Sequence, residues 1–572
     1  MRTFLSPNDP IGFGTGDYVE FFAIFTLAVL IGVWTFGPRL RKRIHPESRW
    51  WLLVFAALPV VLRLSLLVRS PAPTPSGSDD FSFILLADTL RHFRLSNPAH
   101  AFPEFLEQIF VLQQPTHSSM YPLGQGLFLA SGWLVFGHPW AGVLVSIATL
   151  CAACYWMLRA WTTPVWALAG GLLCCVEFGP LSYWMNSYWG GAVSATAGCL
   201  VFGALPRIAK FGRVRDAAIL GCGLSLQLLI RPFEFCFLVL SAVVFFALMR
   251  SPSFYWKHAR TAAVVACLPL FLSLGLTALH NKRVTGSWTT LPYMLYRYQY
   301  GMPASFTFQP NPIAHRQLSE EQDLAYRAQS AIHGTDPETV TAYVERLVFR
   351  ARFLRFFLLP PLYIAAIAFL FRVRSRRTAW IVLTIGVFLL GSNFYPYFFP
   401  HYVAAITGLF VLISVMGLQK LDNLRIGGQP LPMRLGSLLL LVCVVHFAFW
   451  FGVHAWGSRS LLSILSLFES WDYINYGDPQ GRIAVHNQLA NLPGKKVVFV
   501  HYAPGHLFEE WVQNGADIDG SPVVLVHDLG PAENKKVLGY YSDRTPWLLE
   551  PDQSPPRLTR YLPAASGFQT VQ

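Results

Sequence analysis

Apolar residues in this chain come in long runs separated by polar stretches, and run length sets the element. Twelve runs of about 15 to 22 residues lie near 19–37, 50–69, 141–158, 164–178, 190–206, 216–232, 235–250, 261–279, 353–371, 379–392, 402–418 and 435–456. A helix rises about 1.5 Å per residue, so each run can cross a hydrocarbon core, the shorter ones with help from neighbours or local thinning. Stretch 122–137 is equally apolar. Counting it as a span would put the basic cluster at 207–215 on the wrong side, so it is expected to lie in the membrane interface. The pattern predicts a polytopic α-helical membrane protein of about twelve transmembrane helices with both termini on one side.

Composition changes that picture little and excludes its rivals. A chain that is 53% hydrophobic and only 13% charged over 572 residues is too apolar to be a soluble enzyme of its length. The net charge of +13 could suggest nucleic acid, but the cations sit in short clusters between apolar runs. These are Arg39, Arg41, Lys42 and Arg43; Arg207, Lys210, Arg213 and Arg215; Arg250, Lys257 and Arg260; Arg372, Arg374, Arg376 and Arg377; and Lys420, Arg425 and Arg434. That is the positive-inside pattern, and no nucleic-acid partner is expected. With the clusters on the cytoplasmic side, segments 70–140, 179–189, 231–234, 280–352, 393–401 and everything after 456 fall outside. All nine cysteines lie in apolar runs, so no disulfide framework is expected, and Cys151 with Cys154 reads as helix packing. Residues 1–20 lack a cleavable signal pattern, so the first run is expected to stay as an anchor.

The outer segments divide the chain into a membrane module, 1–456, and a tail, 457–572. The first external loop, 70–140, opens with Pro71, Pro73 and Pro75, which exclude a helix at the membrane exit. Residues 81–93 then have helical apolar spacing, and an amphipathic helix on the membrane surface is expected. The second external loop, 280–352, carries the aromatic run Tyr293, Tyr296, Tyr298 and Tyr300 and restarts as a helix at Asp336-Pro337-Glu338. Arg346, Arg350, Arg352 and Arg355 follow, and most of them are expected to snorkel to lipid phosphates. The tail holds nine Lys/Arg against twelve Asp/Glu. Its runs 497–500 and 523–526 read as buried strands, with helices near 505–513 and 531–539, hence a small α/β domain.

Candidate chemistry gathers on the outer segments. In Ser76-Gly77-Ser78-Asp79-Asp80-Phe81-Ser82-Phe83, two adjacent carboxylates follow a membrane span. Taken alone, a solvated turn explains them better than catalysis; the rest of the outer face reverses that. One acid of such a pair can ionise readily while its neighbour holds a proton or a hydrogen bond. Two carboxylates without further acids make a thin divalent-cation site, so a base is favoured over a metal ligand and no cofactor is expected. Arg231 ends an apolar run, an odd place for a lone cation, and either pairs with Glu234 or contacts phosphate. Lys282 and Arg283 at another helix end read as headgroup anchors or phosphate contacts. His117 with Tyr121, Asn186 with Tyr188 and Trp189, and His401 with Tyr402 supply the mixture of rings and hydrogen-bonding groups that a sugar cleft needs. In the tail, Asp517-Ile518-Asp519 follows Asn514-Gly515 and reads as a turn, and His501, His506, Glu509 and Glu510 read as surface or packing groups.

A span, an external loop opening with paired acids, a surface helix, a Tyr-Pro-Leu element and many further spans together resemble the multispanning C-type glycosyltransferases. That superfamily includes protein O-mannosyltransferases and the lipid A aminoarabinose transferase. Residues 79–89, the block Ser187-Tyr188-Trp189-Gly190-Gly191-Ala192 and residues 511–528 are similar to a bacterial membrane group of that superfamily. The resemblance implies an inverting transfer, outside the bacterial inner membrane, from a polyprenyl-phosphate sugar to a glycan, lipid or protein acceptor. It carries the base role to Asp79 and a supporting role to Asp80, where the family more usually has Asp-Glu. Two rivals remain from the residues alone. One is a glycolipid transporter or flippase, against which the clustering of charges at helix ends weighs; the other is a membrane-anchored receptor whose tail binds a ligand.

Overall fold

The computed structural model describes residues 12–35, 47–75, 77–249, 256–302, 306–334, 337–426, 429–430, 434–458, 460–461, 465 and 480–562. The basic cluster at 39–43, Arg250, Ser76, Asp336 and most of 457–479 lie outside them. Eleven of the twelve apolar runs form continuous helices: α1 Thr15–Thr35, α2 Trp50–Ser65, α5 Trp140–Leu158, α6 Pro164–Phe178, α7 Ala192–Phe211, α8 Val214–Ile230, α9 Pro232–Leu248, α10 Trp256–Thr285, α15 Arg376–Ser392, α16 Thr407–Asp422 and α17 Leu435–Trp456. Six helices among the described residues are long and apolar enough to cross a membrane, or seven if one bent pair is a single span. The chain is a multi-pass membrane protein.

The bent pair corrects the run 353–371. Helix α13, Val340–Arg350, runs into a 3-10 turn, Ala351–Phe356, and the chain bends by 113° before α14, Pro360–Leu370. Pro360 and Pro361 start α14, where a missing N–H costs nothing. The arginines before the bend do not snorkel. Arg350 donates to the carbonyls of Ser392 and Tyr395, at 3.0 and 2.5 Å, Arg346 donates to Asn393 O at 2.8 Å and to Glu338, and Arg355 lies 3.5 Å from Asp17 of α1. Orphan carbonyls at the end of α15 thus take guanidinium donors in place of lipid phosphate. Thr339, not Asp336, caps α13 by accepting from Ala342 N–H at 3.1 Å.

Two shorter helices sit across one end of the bundle. Helix α3, Ser78–Arg91, begins at Gly77 with both aspartates in its first turn, where they complement the helix dipole. It is not a surface helix: Asp80, Phe81, Ser82, Leu85 and Asp88 are buried. Helix α4, Leu123–Phe136, packs along it. Near its start Gly124 meets Ile230 at the end of α8. Further on, a Cβ on Gly132 would stand 2.0 Å from the backbone of Gly142 at the start of α5, so only glycine permits that approach. Both ends of α4 therefore touch the same end of the bundle.

Strands β1 Asn97–Pro98, β2 Val111–Leu112 and β3 Thr116–Ser119 form a small antiparallel sheet ordered β1-β3-β2 beside α3. The second external segment contributes α11 Pro292–Tyr300 and α12 Glu320–His333, tied to the first through Glu107. That carboxylate accepts from Tyr300 Oη at 2.8 Å and Gln322 Nε2 at 2.7 Å and pairs with Arg316. A two-residue hairpin, β4 Arg425–Ile426 with β5 Gln429–Pro430, follows α16.

The described tail is an α/β unit with sheet order β7-β6-β8-β9 (β6 Lys496–Val500, β7 Val523–His527, β8 Thr545–Glu550, β9 Arg557–Arg560), parallel except for the β8–β9 pair. Val497 to Val500 are buried on both faces, as an inner parallel strand requires. Helices Arg482–Asn491 and Pro531–Tyr540 flank the sheet. Residues 505–513 are irregular, contrary to the helix expected there. Their amides are taken by a side chain: Tyr502 Oη accepts from Trp511 and Val512 N–H at 2.8 and 3.0 Å. Phe105 and Leu106 of the first loop belong to the same core as Val497, Phe499 and Val526, so the tail shares its interior with the membrane module.

Candidate active site

A cavity of about 430 Å³ opens where α3, the start of α4, the α8–α9 junction, the end of α10 and the segment before α16 converge. Asp79, Tyr121, Trp189, Arg231, His401 and Tyr402 line it. Residues from five separate outer segments of the sequence thus share one wall.

Helical geometry separates the two aspartates. Successive side chains leave a helix about 100° apart, so Asp79 faces the cavity while Asp80 turns inward and is 3% exposed. Asp80 Oδ1 accepts the Tyr188 N–H at 2.8 Å, tying α3 to the 187–192 block. Asp79 accepts a hydrogen bond from the Tyr121 hydroxyl, whose ring stacks on Phe83 at 4.2 Å. Burial pushes the Asp79 carboxyl above its ordinary value, opposed by that hydrogen bond and by the charge of Arg231. A carboxylate held in this way is more basic than a solvated aspartate.

Arg231 is placed by a sequence device. Pro232 cannot continue α8, so α9 starts there, and the Arg231 N–H closes α8 on Gln227 O at 2.8 Å. Its guanidinium lies 4.6 Å over the Tyr402 ring and 3.2 Å from Glu234 Oε1. Of the two sequence alternatives the structure shows the pairing with Glu234, and the paired Arg231 lines the cavity. His401 packs between Trp189, edge-on at 4.9 Å, and Tyr402 at 4.7 Å.

Several expected residues lie elsewhere. Lys282 donates to Gly286 O at 2.7 Å, closing the end of α10, and with Arg283 is exposed outside the cavity. His117 is buried in β3 against Gln113 at 2.9 Å, and burial lowers its pKa to about 4. The Tyr188 hydroxyl donates to Pro73 O at 2.8 Å. Asn186 Oδ1 accepts from Arg63 Nε at 2.8 Å, and its amide donates to Pro180 and Ser182 carbonyls. Arg63 also donates to Ser70 O and Pro71 O and stacks on Trp140. These groups build the frame behind the cavity and do not line it. In their place His280, Asn281, Tyr293, Arg297 and Tyr395 do.

In the tail, Asp517 Oδ1 accepts from Gly520 N–H at 3.1 Å, a turn as read. His501 is exposed beside Asp528. Glu510 is wholly buried and accepts from Ile109 N–H at 3.1 Å. Among the described residues no group of three or more His, Cys, Asp or Glu is arranged to hold a metal ion.

The chain is similar in structure to ArnT from Cupriavidus metallidurans. In the apo state the match has a TM-score of 0.50 at 11% identity, over 87% of this chain and 92% of that one. In the structure bound to undecaprenyl phosphate it has a TM-score of 0.51 at 10% identity, over 88% and 93%. The chain has the fold of the C-type glycosyltransferases. The Archaeoglobus fulgidus oligosaccharyltransferase aligns at a TM-score of 0.40 and 12% identity, over 88% of this chain and 69% of that one. No protein-family model matches the chain, and no curated protein matches it in sequence.

Proposed function

We propose that this C-type fold works as an inverting glycosyltransferase, moving a sugar from a polyprenyl-phosphate donor to an acceptor hydroxyl outside the bacterial inner membrane. The observation that carries this reading is the cavity itself, in which a half-buried carboxylate of raised pKa and an arginine share one wall at the mouth of a helical bundle. The ArnT structure with undecaprenyl phosphate supports the choice of donor class.

In the reaction the acceptor oxygen attacks the anomeric carbon in line as its proton passes to Asp79. The C1–O bond to phosphate breaks, and polyprenyl phosphate leaves with the bonding pair, so the anomeric configuration inverts. Arg231 takes the charge of the departing phosphate, with its own geometry fixed by Glu234 and Tyr402. Asp80 holds the 187–192 block against α3 and so positions Asp79. Trp189 and His401 offer the flat and polar surfaces that orient sugar hydroxyls. A phosphate leaving group already carries charge well, so the proposed chemistry calls on no metal. The acceptor is a glycan, lipid or protein hydroxyl.

The same reading makes twelve spans of α1, α2, α5–α10 and α14–α17, with α4 in the interface, and the basic turns cytoplasmic. Transfer is measured in membranes supplied with a polyprenyl-phosphate sugar. Asp79→Asn is expected to lower the rate by about 10²–10⁴-fold, the usual share of a general base. Full activity in that variant overturns the assignment.

A further inference from the structure

We propose that a second cavity, at the end of the bundle opposite Asp79, binds the phosphate headgroup of an anionic phospholipid. This cavity, about 530 Å³, is formed by the start of α2, the end of α5 and the turn between α7 and α8. Each of these helices has its other end at the active-site face. Arg63 of α2 and Trp140 of α5 stack there, Ala192 of α7 follows the 187–191 block, and α8 ends at Arg231. Helices of 16, 20 and 17 residues for α2, α7 and α8 put the two faces about 24–30 Å apart, the thickness of a hydrocarbon core. The second cavity therefore lies at the other membrane surface.

Its chemistry is that of a phosphate site. Arg49, Arg159, Arg207 and Arg215 line it, against two carboxylates, Glu47 and Asp216, so positive charge is in excess. Two of the four guanidinium groups are built in. Arg207 stacks on Trp156 at 4.0 Å and donates to Gly203 O and Trp156 O, both at 2.7 Å, and Arg159 donates to Tyr155 Oη at 3.1 Å. Guanidinium groups fixed in this way lose little freedom on meeting a phosphate. A lipid is favoured over a soluble phosphate because the rim is greasy. Trp50 and Leu53 on α2, with Phe211 and Val214 beside the α7–α8 turn, are exposed apolar residues next to the lining groups Arg49, Leu52 and Arg215. They offer acyl chains a surface directly beneath a headgroup held by the arginines. The inference does not depend on the activity proposed above.

Native mass spectrometry of the full-length protein, titrated with phosphatidylglycerol and, in parallel, with phosphatidylcholine of the same acyl chains, tests it. Phosphatidylglycerol is expected to be retained in preference. Its affinity should fall about fivefold in Arg215→Gln and again in Arg159→Gln/Arg215→Gln, the usual weight of one cation near an anionic lipid, and should be unchanged in Arg557→Gln on the tail. Arg215 is exposed, so Arg215→Gln alone carries the test if the double variant fails to fold. Equal binding of the two lipids, or unchanged phosphatidylglycerol affinity in Arg215→Gln, overturns the site. Inorganic phosphate that displaces phosphatidylglycerol at micromolar concentration overturns the lipid as its ligand.

Discussion

Adjacency in sequence gives Asp79 and Asp80 opposite duties, because one residue of helix turns the second carboxylate away from the cavity that the first one enters. The ionisation of Asp79 then depends on Tyr121. Its hydrogen bond lowers the aspartate's pKa against the burial that raises it. A base works when deprotonated, so the rate rises with pH through the Asp79 pKa. Tyr121→Phe should move that rise to higher pH and leave the plateau above it nearly unchanged, as a pH–rate profile will show. An unmoved profile would separate Tyr121 from the base. Arg231 could be read from the sequence because a charge ending an apolar run is costly unless it is used. His280 and Asn281 could not: the charged neighbours Lys282 and Arg283 drew attention, and the helix turns those two out to solvent. Asn186 stood out as a polar group among aromatics, but its partner, Arg63, lies inside an apolar run 123 residues away. Asn186→Ala should cost about 1.5–3 kcal/mol by leaving a buried guanidinium short of an acceptor, measured as lower thermal stability.

Among the elements, α3 is held from the side away from the cavity by the tail. Asp88 Oδ2 accepts from Ala516 N–H at 2.6 Å, Arg482 lies over both Phe81 and Trp511, and Glu510 reaches Ser78 Oγ at 3.5 Å, one residue from Asp79. Composition marks the tail off from the membrane segments, and its shared burial with Phe105 and Leu106 makes it a brace for α3, the helix that carries Asp79. Glu510 also meets Glu321 of α12, with His506, Arg482 and Asp552 around the pair. Burial raises Glu321 to about 7, and burial and the Glu321 charge raise Glu510 well above the carboxylate range. The folded state therefore binds protons more tightly than the unfolded one. The stability this contributes is complete below the ordinary glutamate value of about 4.3 and is lost as pH rises through about 7. The thermal unfolding temperature should fall between about pH 5.5 and pH 8, and Glu510→Gln, neutral at every pH, should flatten that fall. The sequence leaves Glu510 as a surface or packing group and does not single out Glu321, because hydropathy registers a residue's type and not the partner that another segment brings to it.

For the whole molecule, apolar run length foretold the helices well because a bilayer imposes length directly, and failed at 353–371, where the bend depends on arginines finding carbonyls at the end of α15. Run length also could not place α4, which is as apolar as its neighbours. The structure brings Gly124 to the end of α8 and Gly132 to the start of α5. The end of α8 and the start of α5 belong to one face of the bundle, the face of Arg231 and Trp140, so a helix that touches both does not cross to the other. On the proposed twelve-span reading, with α4 left out, the number of crossings between α2 and α8 is even in α5 and α6 and odd with α7, and the turn at 212–213 falls on the side of Arg49. The turn at 372–377 then falls on that same side, and the tail on the other. A charged maleimide reagent applied to intact cells stripped of their outer wall should label Lys536→Cys, exposed on the tail, without permeabilisation. Arg376→Cys, exposed at the start of α15, should react only after the membrane is opened. The native Cys222, Cys236 and Cys267 are exposed on α8, α9 and α10, which the proposed topology places in lipid, out of reach of a charged reagent. If the labels are exchanged, so that Arg376→Cys reacts in intact cells and Lys536→Cys only after the membrane is opened, as a spanning α4 requires, the proposed parity fails and the tail faces the cytoplasm; if both react from the same side, α15, α16 and α17 do not make three crossings.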